Sequence, residues 1–218
     1  MNKLIIKNLK HTYSDGQADV HVLKGVNATF ESGKMYAIVG ESGSGKTTLL
    51  SLIAALDNVQ SGDIKYNDQS IKEIGEQKFR LKYSNIVFQS FNLIKYMTAR
   101  ENVEVALDFA GKPRTEAEQV LKSVGISKEE GGRLVQKLSG GQQQRVAIAR
   151  AIASDTPIVV ADEPTGNLDE DTEAKILGIF HDLATKKKKI VILVTHSKKV
   201  AGHAHAIVYK MRGGVLAK

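Results

Sequence analysis

"KMYAIVGESGSGKTTLLSLIAAL", Lys34 to Leu56, decides how the rest of the chain is read. Lys34 to Gly40 carries an unbroken apolar run, the pattern of a strand covered on both faces. A glycine loop follows, and Thr47 to Leu56 has the composition of a helix. Strand, glycine loop and helix form the context in which G-x-x-x-x-G-K-[ST] cradles phosphate. Glycines let successive backbone N–H groups face one point, and the helix adds its positive N-terminal end. The candidate nucleotide residues are therefore Gly40, Glu41, Ser42, Gly43, Ser44, Gly45, Lys46, Thr47 and Thr48. Lys46 can neutralise the β- and γ-phosphates, and Thr47 offers a hydroxyl to Mg²⁺.

Working outward, three more apolar runs rich in Val and Ile read as buried parallel strands. They are "NIVFQ" (Asn85 to Gln89), "PIVVAD" (Pro157 to Asp162) and "KIVILVTH" (Lys189 to His196). Ile176, Phe180 and Leu183 share one helical face, with Leu177 and Ala184 beside it, which predicts a crossover helix between the strands ending at Asp162 and His196. "LIIKNLKHTY", "HVLKGVNATF" and "DIKYND" predict antiparallel strands at one side of the sheet. Between Thr98 and Ala153 no strand pattern appears. "TARENVEVALDFA" and "TEAEQVLKSVG" are helix-like, the second with a capping-box pattern at Thr115 to Glu118. The expected class is α/β: a P-loop core with a mostly parallel sheet and an antiparallel side layer (1–91 and 154–218), interrupted by a helical subdomain (92–153). Gly125, Gly131 and Gly132 are expected in its loops.

Composition narrows the partners. With 218 residues and 42% hydrophobic content, one sizeable core is expected. There are no cysteines, which excludes disulfides and thiolate metal sites. No apolar run reaches the ~20 residues of a membrane span, and "MNKLIIKNLK" lacks the apolar core of a signal peptide. A cytoplasmic location is expected, with any membrane role coming through a partner. The net charge of +7 suits phosphorylated ligands, nucleic acid or an anionic surface. Its densest run, Lys186 to Lys189, reads as a solvated loop.

Several residues at strand ends carry chemistry. Asp162 is placed to hold the shell of Mg²⁺, and Glu163 to polarise an attacking water. Pro164 ends the strand, so Glu163 is expected at the edge rather than paired. His196 can bond a γ-phosphate, and Gln89 can reach the metal or the water. Tyr13 offers a ring to stack on adenine. His11, His21, His181, His203 and His205 have no expected role. No His/Asp/Glu cluster has metal-binding spacing, so Mg²⁺ is expected to arrive with the nucleotide.

"LSGGQQQR", Leu138 to Arg145, makes the reading specific. Together with the phosphate loop, Gln89, Asp162–Glu163, Asn167 to Asp169 and His196, all in order, it resembles the ATP-binding-cassette (ABC) transporter ATPases across essentially the whole chain. The resemblance implies ATP and Mg²⁺ as ligands, ATP hydrolysis, and a homodimer closed head to tail. In it Ser139, Gly140 and Gly141 would meet the γ-phosphate held by the opposite subunit, Gln142 would be cofactor-binding beside them, and Asp169 would line the same interface. It also makes Tyr13 the adenine-stacking aromatic, Gln89 the link to the helical subdomain, Glu163 the catalytic base and His196 the switch histidine. Lys46 completes the catalytic set, and Thr47, Gln89 and Asp162 the metal set.

"LDNVQSGDI", "FQSFNLI…MTARENVEVAL" and "GGQQQRVAIARAI" look like the macrolide-exporter, lipoprotein-release and antimicrobial-peptide-resistance group. That implies a separate integral membrane permease, no nucleic acid partner, and a peripheral position on the cytoplasmic face of the membrane. The chain departs from this group at Ser197, where Asp is commoner, and at "LIKYMT", where the permease docks. Alternatives are the ATPase of a small-solute importer and a non-transport ATPase acting on DNA or ribosomes. Against the latter, only 91 residues separate Lys46 from Leu138, without heptads, and the chain holds a single cassette.

Overall fold

The computed structural model describes residues 1–14, 16, 18–166, 168–197, 202 and 205–218. Asn167 of the Asn-Leu-Asp loop and His203 lie outside the described residues.

The apolar runs form strands because each has two cores to serve. In β7 (Ile158–Asp162), Ile158 and Val160 face one core while Val159 and Ala161 face the other. β8 (Ile190–Thr195) alternates in the same way, and all six of its residues are buried. Alternate side chains of a strand leave by opposite faces. With β3 (Met35–Val39), β6 (Ser84–Val87), β9 (Ile207–Arg212) and β10 (Val215–Ala217) they make a six-stranded sheet of order β10-β9-β3-β8-β7-β6. All pairings are parallel except β10 on β9.

One core lies between this sheet and the antiparallel strands. β1 (Lys3–Ser14), β2 (Asp19–Glu31), β4 (Ser61–Tyr66) and β5 (Gln69–Ser70) form a separate four-stranded sheet, β2-β1-β4-β5, rather than a flank of the parallel one. Leu4, Ile6, Phe30 and Ile64 join Leu49, Leu50 and Ile53 of α1 (Lys46–Ile53) in that core. A half-apolar strand needs a second layer to cover it, and only a separate sheet leaves room for α1 between. α1 stops three residues before Leu56: Ala54 caps it, and Ala55 takes φ +54°. Arg80, on α3 (Glu76–Lys82) after the short α2 (Ile71–Ile74), claims the carbonyl of Ala55.

The other core gathers the helices. α4 (Ala99–Phe109), α5 (Ala117–Ser123) and α7 (Gly140–Ala153) contribute Val103, Leu107, Leu121, Val146 and Ile148. α8 (Glu170–Thr185) adds Ile176, Leu177, Phe180, Leu183 and Ala184, the face expected from spacing. Buried residues of the helical stretch and of the sheet belong to one contiguous cluster.

Three local expectations are corrected. Thr115 caps nothing: it sits in a 3₁₀ turn, Arg114–Glu116, and α5 starts without a side-chain cap. Pro113 precedes that turn, and Arg114 is drawn back onto Asp108 at 2.6 Å. Capping boxes close instead at Ser70/Glu73, Thr98/Glu101, Ser127/Glu130 and Ser139/Gln142. Gly131 ends a short helix, α6 (Lys128–Gly131), and Gly132 caps it, whereas Gly125 takes φ +76° in a turn. The lysine run is not wholly solvated. Lys189 is buried, its ammonium donating to Asp155 Oδ1 and to the carbonyl of Thr156, both at 2.7 Å. β9 and β10 were not legible, because their faces are only partly covered and interleave Lys210 and Arg212.

Candidate functional site

Strand order gathers the candidate residues at one edge. β3 runs into Gly40, β8 into His196, β7 into Asp162 and Glu163, and β6 toward Gln89. These four are consecutive parallel neighbours, β3-β8-β7-β6, so their carboxyl ends line up. In parallel α/β sheets ligands bind beyond that edge.

The loop after β3 is packed from behind. A Cβ on Gly40 would lie 2.4 Å from the carbonyl oxygen of Met211 and 2.8 Å from Ser44 Oγ. Gly43 takes φ +75° and Gly45 φ +102°, conformations a side chain resists. Gly45 starts α1 without a side-chain cap, so the loop leaves that helix end available to an anion. Lys46 is buried, and its ammonium donates to the carbonyls of Gly40 (2.9 Å) and Glu41 (2.7 Å). Ser44 Oγ is buried without a partner. A buried cation and an orphaned hydroxyl around a glycine cradle fit a polyphosphate. Glu41 and Ser42 are exposed, and Thr48 is half-buried one residue past Thr47.

Thr47 Oγ1 donates to Asp162 Oδ2 at 3.2 Å, bridging the loop and β7. A hydroxyl and a carboxylate side by side are hard oxygen ligands suited to Mg²⁺. Burial pushes the Asp162 carboxyl above the usual carboxylate range. The Thr47 hydrogen bond opposes this, the Glu163 charge adds to it, and Lys46 opposes it.

Glu163 sits at φ +44°. Its N–H donates to the carbonyl of Val194 at 2.9 Å, so it keeps one rung to β8 before Pro164 turns the chain away. This corrects the expectation of an unpaired edge residue. Its Oε2 lies 2.7 Å from His196 Nδ1. His196 is thus held by the carboxylate, with most of its ring in solvent. Gln89 is exposed in the turn beyond β6. The residues after it are anchored from two helices. Arg150 of α7 donates to the carbonyls of Asn92 (2.6 Å) and Phe91 (3.3 Å), and the buried Asn102 of α4 exchanges hydrogen bonds with the backbone of Ile94.

Tyr13 is half-exposed on β1, and its hydroxyl donates to Asp57 Oδ2 at 3.4 Å. His11 has a use that the sequence did not suggest. It is buried, meets the Tyr13 ring edge-on with centroids 4.7 Å apart, and its Nε2 lies 3.5 Å from the same Asp57 oxygen.

Ser139 caps α7. Its Oγ accepts from Gln142 N at 3.3 Å, and its N–H donates to Gln142 Oε1 at 2.7 Å. The space over Gly140 is open. A Cβ on Gly141 would meet Thr172, Leu168 and Arg145, none of them from the phosphate loop. Asp169 caps α8, accepting from Thr172 N at 2.9 Å; Thr172 holds its carboxyl below the usual range. The structure therefore joins Lys46, Thr47, Asp162, Glu163 and His196 in one constellation, and puts Ser139, Gly140, Gly141, Gln142 and Asp169 in another. Glu130, whose carboxylate accepts from Gln142 Nε2 at 2.6 Å, was missed; the Ser-x-x-Glu spacing at Ser127 to Glu130 was its signal.

Comparison with known proteins places the chain in a family. The ABC transporter family pattern matches residues 23–166. YclH of Bacillus subtilis, an uncharacterized ABC transporter ATP-binding protein, is 46% identical over 197 residues, covering 88% of this chain and 87% of its own length. LolD of Chromohalobacter salexigens, the ATP-binding protein of a lipoprotein-releasing system, is 38% identical over 216 residues, covering 95% and 91%. The dimeric structure of MJ0796, a bacterial ABC transporter cassette, superposes with a TM-score of 0.91 at 36% identity, over 99% of this chain and 97% of that one. A second MJ0796 structure, a post-hydrolysis state bound to ADP and Pi, superposes equally well. The chain belongs to the ABC transporter family, as an ATP-binding and ATP-hydrolysing subunit.

Proposed function

We propose that two copies of this chain close head to tail around ATP and Mg²⁺ and so drive a separate integral membrane permease, in export or mechanotransmission of a lipoprotein, drug or antimicrobial peptide. The reading rests on one observation above all. The glycine turn capped by Ser139 is open over Gly140, and a Cβ on Gly141 would meet Thr172, Leu168 and Arg145, none of them from the loop at 40–47. An anion-ready helix end that does not face its own chain's phosphate loop suits the phosphate of a second copy. The likeness to LolD favours a releasing or exporting system over an importer.

Hydrolysis then asks for positioning and charge, without a covalent intermediate. Lys46 leaves the carbonyls of Gly40 and Glu41 for the β- and γ-phosphates. Thr47, Asp162 and Gln89 would hold Mg²⁺, which when bound supplies positive charge at the phosphate oxygens. Glu163 accepts the proton of the attacking water, and His196 orients its carboxylate through the 2.7 Å contact. Tyr13 stacks on adenine. Asp169 and the Ser139–Gln142 turn complete the partner's site. Residues 92–153 act as the unit that transmits closure, with Tyr96 of "LIKYMT", 79% exposed, facing the permease. Among the described residues no helix is long and apolar enough to cross a membrane. In this reading the permease supplies membrane attachment on the cytoplasmic face.

The chain has no native cysteine, which makes the test direct. A chain carrying Ser42→Cys and Ser139→Cys should form disulfide-linked dimers when oxidised with ATP, and few without it. Equal yields in both conditions, or none in either, would refute head-to-tail closure. Purification from native membranes should recover an integral membrane protein; recovery of ribosomes or DNA instead would refute the transport reading.

A further inference from the structure

The turn at the start of α7 is held by a carboxylate outside it. α6 is capped by Ser127, whose N–H donates to Glu130 Oε2 at 2.7 Å, while Glu130 N donates to Ser127 Oγ at 3.1 Å. The other oxygen, Glu130 Oε1, accepts from Gln142 Nε2 at 2.6 Å. Gln142 in turn presents Oε1 to Ser139 N at 2.7 Å. Two capping boxes are therefore wired in series through one carboxylate and one amide. An amide can be rotated to exchange its donor and acceptor ends. A carboxylate at 2.6 Å removes that freedom, because only the NH₂ end can face it.

We propose that Glu130 is a positioning residue for the Ser139–Gln142 turn: it selects the amide orientation of Gln142, which consumes the Ser139 N–H and leaves the Ser139 hydroxyl proton and the N–H groups of Gly140 and Gly141 for a phosphate. This rests on the head-to-tail reading for the identity of that phosphate, the γ-phosphate of the partner's ATP, but not for the hydrogen-bond chain itself. The carboxylate stays ionised beside an anion-binding turn because its surroundings favour the charge. The Ser127 N–H, the Ser127 hydroxyl, Gln142 and the nearby Arg145 all hold it below the usual range, against some burial. Arg145 also lies beside the turn, within 3.9 Å of a Cβ on Gly141. Glu130 does not touch the reacting atoms in this scheme. It acts through Gln142.

The chemistry supplies its own rescue. In Glu130→Gln, one side-chain oxygen must serve two donors, and the new NH₂ faces that of Gln142. Exchanging the two residues, Glu130→Gln with Gln142→Glu, restores every link. The Ser127 N–H again finds an oxygen on the side chain at position 130. The amide now at 130 donates to the carboxylate now at 142, and that carboxylate accepts from the Ser139 N–H. Two readouts apply. Hydrogen exchange of the free chain over residues 139–142 should be roughly tenfold faster in Glu130→Ala, the scale of one charge-assisted bond, and should return toward the parent in the exchanged pair. ATP turnover should fall roughly tenfold in Glu130→Ala, about 1.4 kcal/mol, with unchanged ATP affinity of the isolated chain, since the phosphate loop is untouched. Glu130→Gln should also be slow, and the exchanged pair faster than Glu130→Gln alone. Parental exchange rates or parental turnover in Glu130→Ala would overturn the proposal, as would an exchanged pair no better than Glu130→Gln. Failure of head-to-tail closure registers separately, as absent Ser42→Cys/Ser139→Cys crosslinking in the otherwise parental chain.

Discussion

Gly40→Ala tests whether the phosphate loop is held by the strand behind it. Gly40 does not occupy the left-handed region, so alanine meets no backbone penalty there. Its Cβ, however, would lie 2.4 Å from the Met211 carbonyl oxygen and 3.3 Å from the carbonyl carbon. Ordinary carbon–oxygen contacts begin at about 3.3 Å, so one side must retreat by about 1 Å. Ser44 Oγ, at 2.8 Å, can rotate away. Met211 cannot. It belongs to β9, which is paired to β3 through Ile207, Val208, Tyr209 and Lys210 and to β10 through Leu216. Overpacking against fixed backbone costs about 1–3 kcal/mol. For a chain of this size each kcal/mol moves the melting temperature by about 2–4 °C, so a drop of about 2 to 12 °C is expected. If the loop retreats instead of β9, its N–H groups move off the phosphates, and ATP affinity should fall roughly tenfold, about 1.4 kcal/mol. Differential scanning fluorimetry and calorimetric titration with ATP read both effects. Gly178→Ala is the control: it lies within α8 with open space around it, and alanine there should raise stability by about 0.5–1 kcal/mol. A Gly40→Ala protein that melts within 1 °C of the parent (a threshold of roughly 0.3–0.5 kcal/mol) and binds ATP equally well would refute the argument.

Glu163→Gln should retain ATP affinity and accumulate an ATP-dependent dimer, visible by size exclusion, while turnover falls by about 10²-fold or more, because the proton acceptor is lost and the charge clamp stays. Asp162→Asn should raise the melting temperature of the nucleotide-free chain at neutral pH while abolishing Mg²⁺-dependent turnover. With the folded carboxyl raised above its unfolded value, the Asp162 contribution to stability is fully present below the unfolded value and lost as pH rises through the folded one, and the substitution removes that loss. A parental melting curve from pH 4 to pH 7 would contradict this. Lys189→Ala should cost about 1–3 kcal/mol by leaving the buried Thr156 carbonyl unsatisfied, with ATP turnover within roughly twofold of the parent; an unchanged melting temperature would return the lysine run to simple solvation.

Residue types and their order were enough to reach the phosphate loop, the acids at Asp162 and Glu163, and the two-core character of the parallel strands. Each depends on local physics: glycines that turn N–H groups inward, an acid at a strand end, and apolar runs too long for one-sided burial. Sequence order could not reveal which strands become neighbours. Gly40, Asp162 and His196 are far apart in the chain, and they converge because β8 inserts between β3 and β7. The antiparallel layer was expected, but not that it closes as a sheet of its own; the β9–β10 hairpin behind Gly40 and the buried end of the lysine run were hidden, since each depends on what covers it. The helix caps show the same divide. Thr115 and Ser127 carry the same Thr/Ser-x-x-Glu spacing, yet only Ser127 closes a box, because Arg114 pulls the other segment onto Asp108. Local sequence thus determined which groups are candidates to bind a nucleotide; only the tertiary structure decided which of them meet, because a hydrogen bond or a clash requires two surfaces and a sequence describes one at a time.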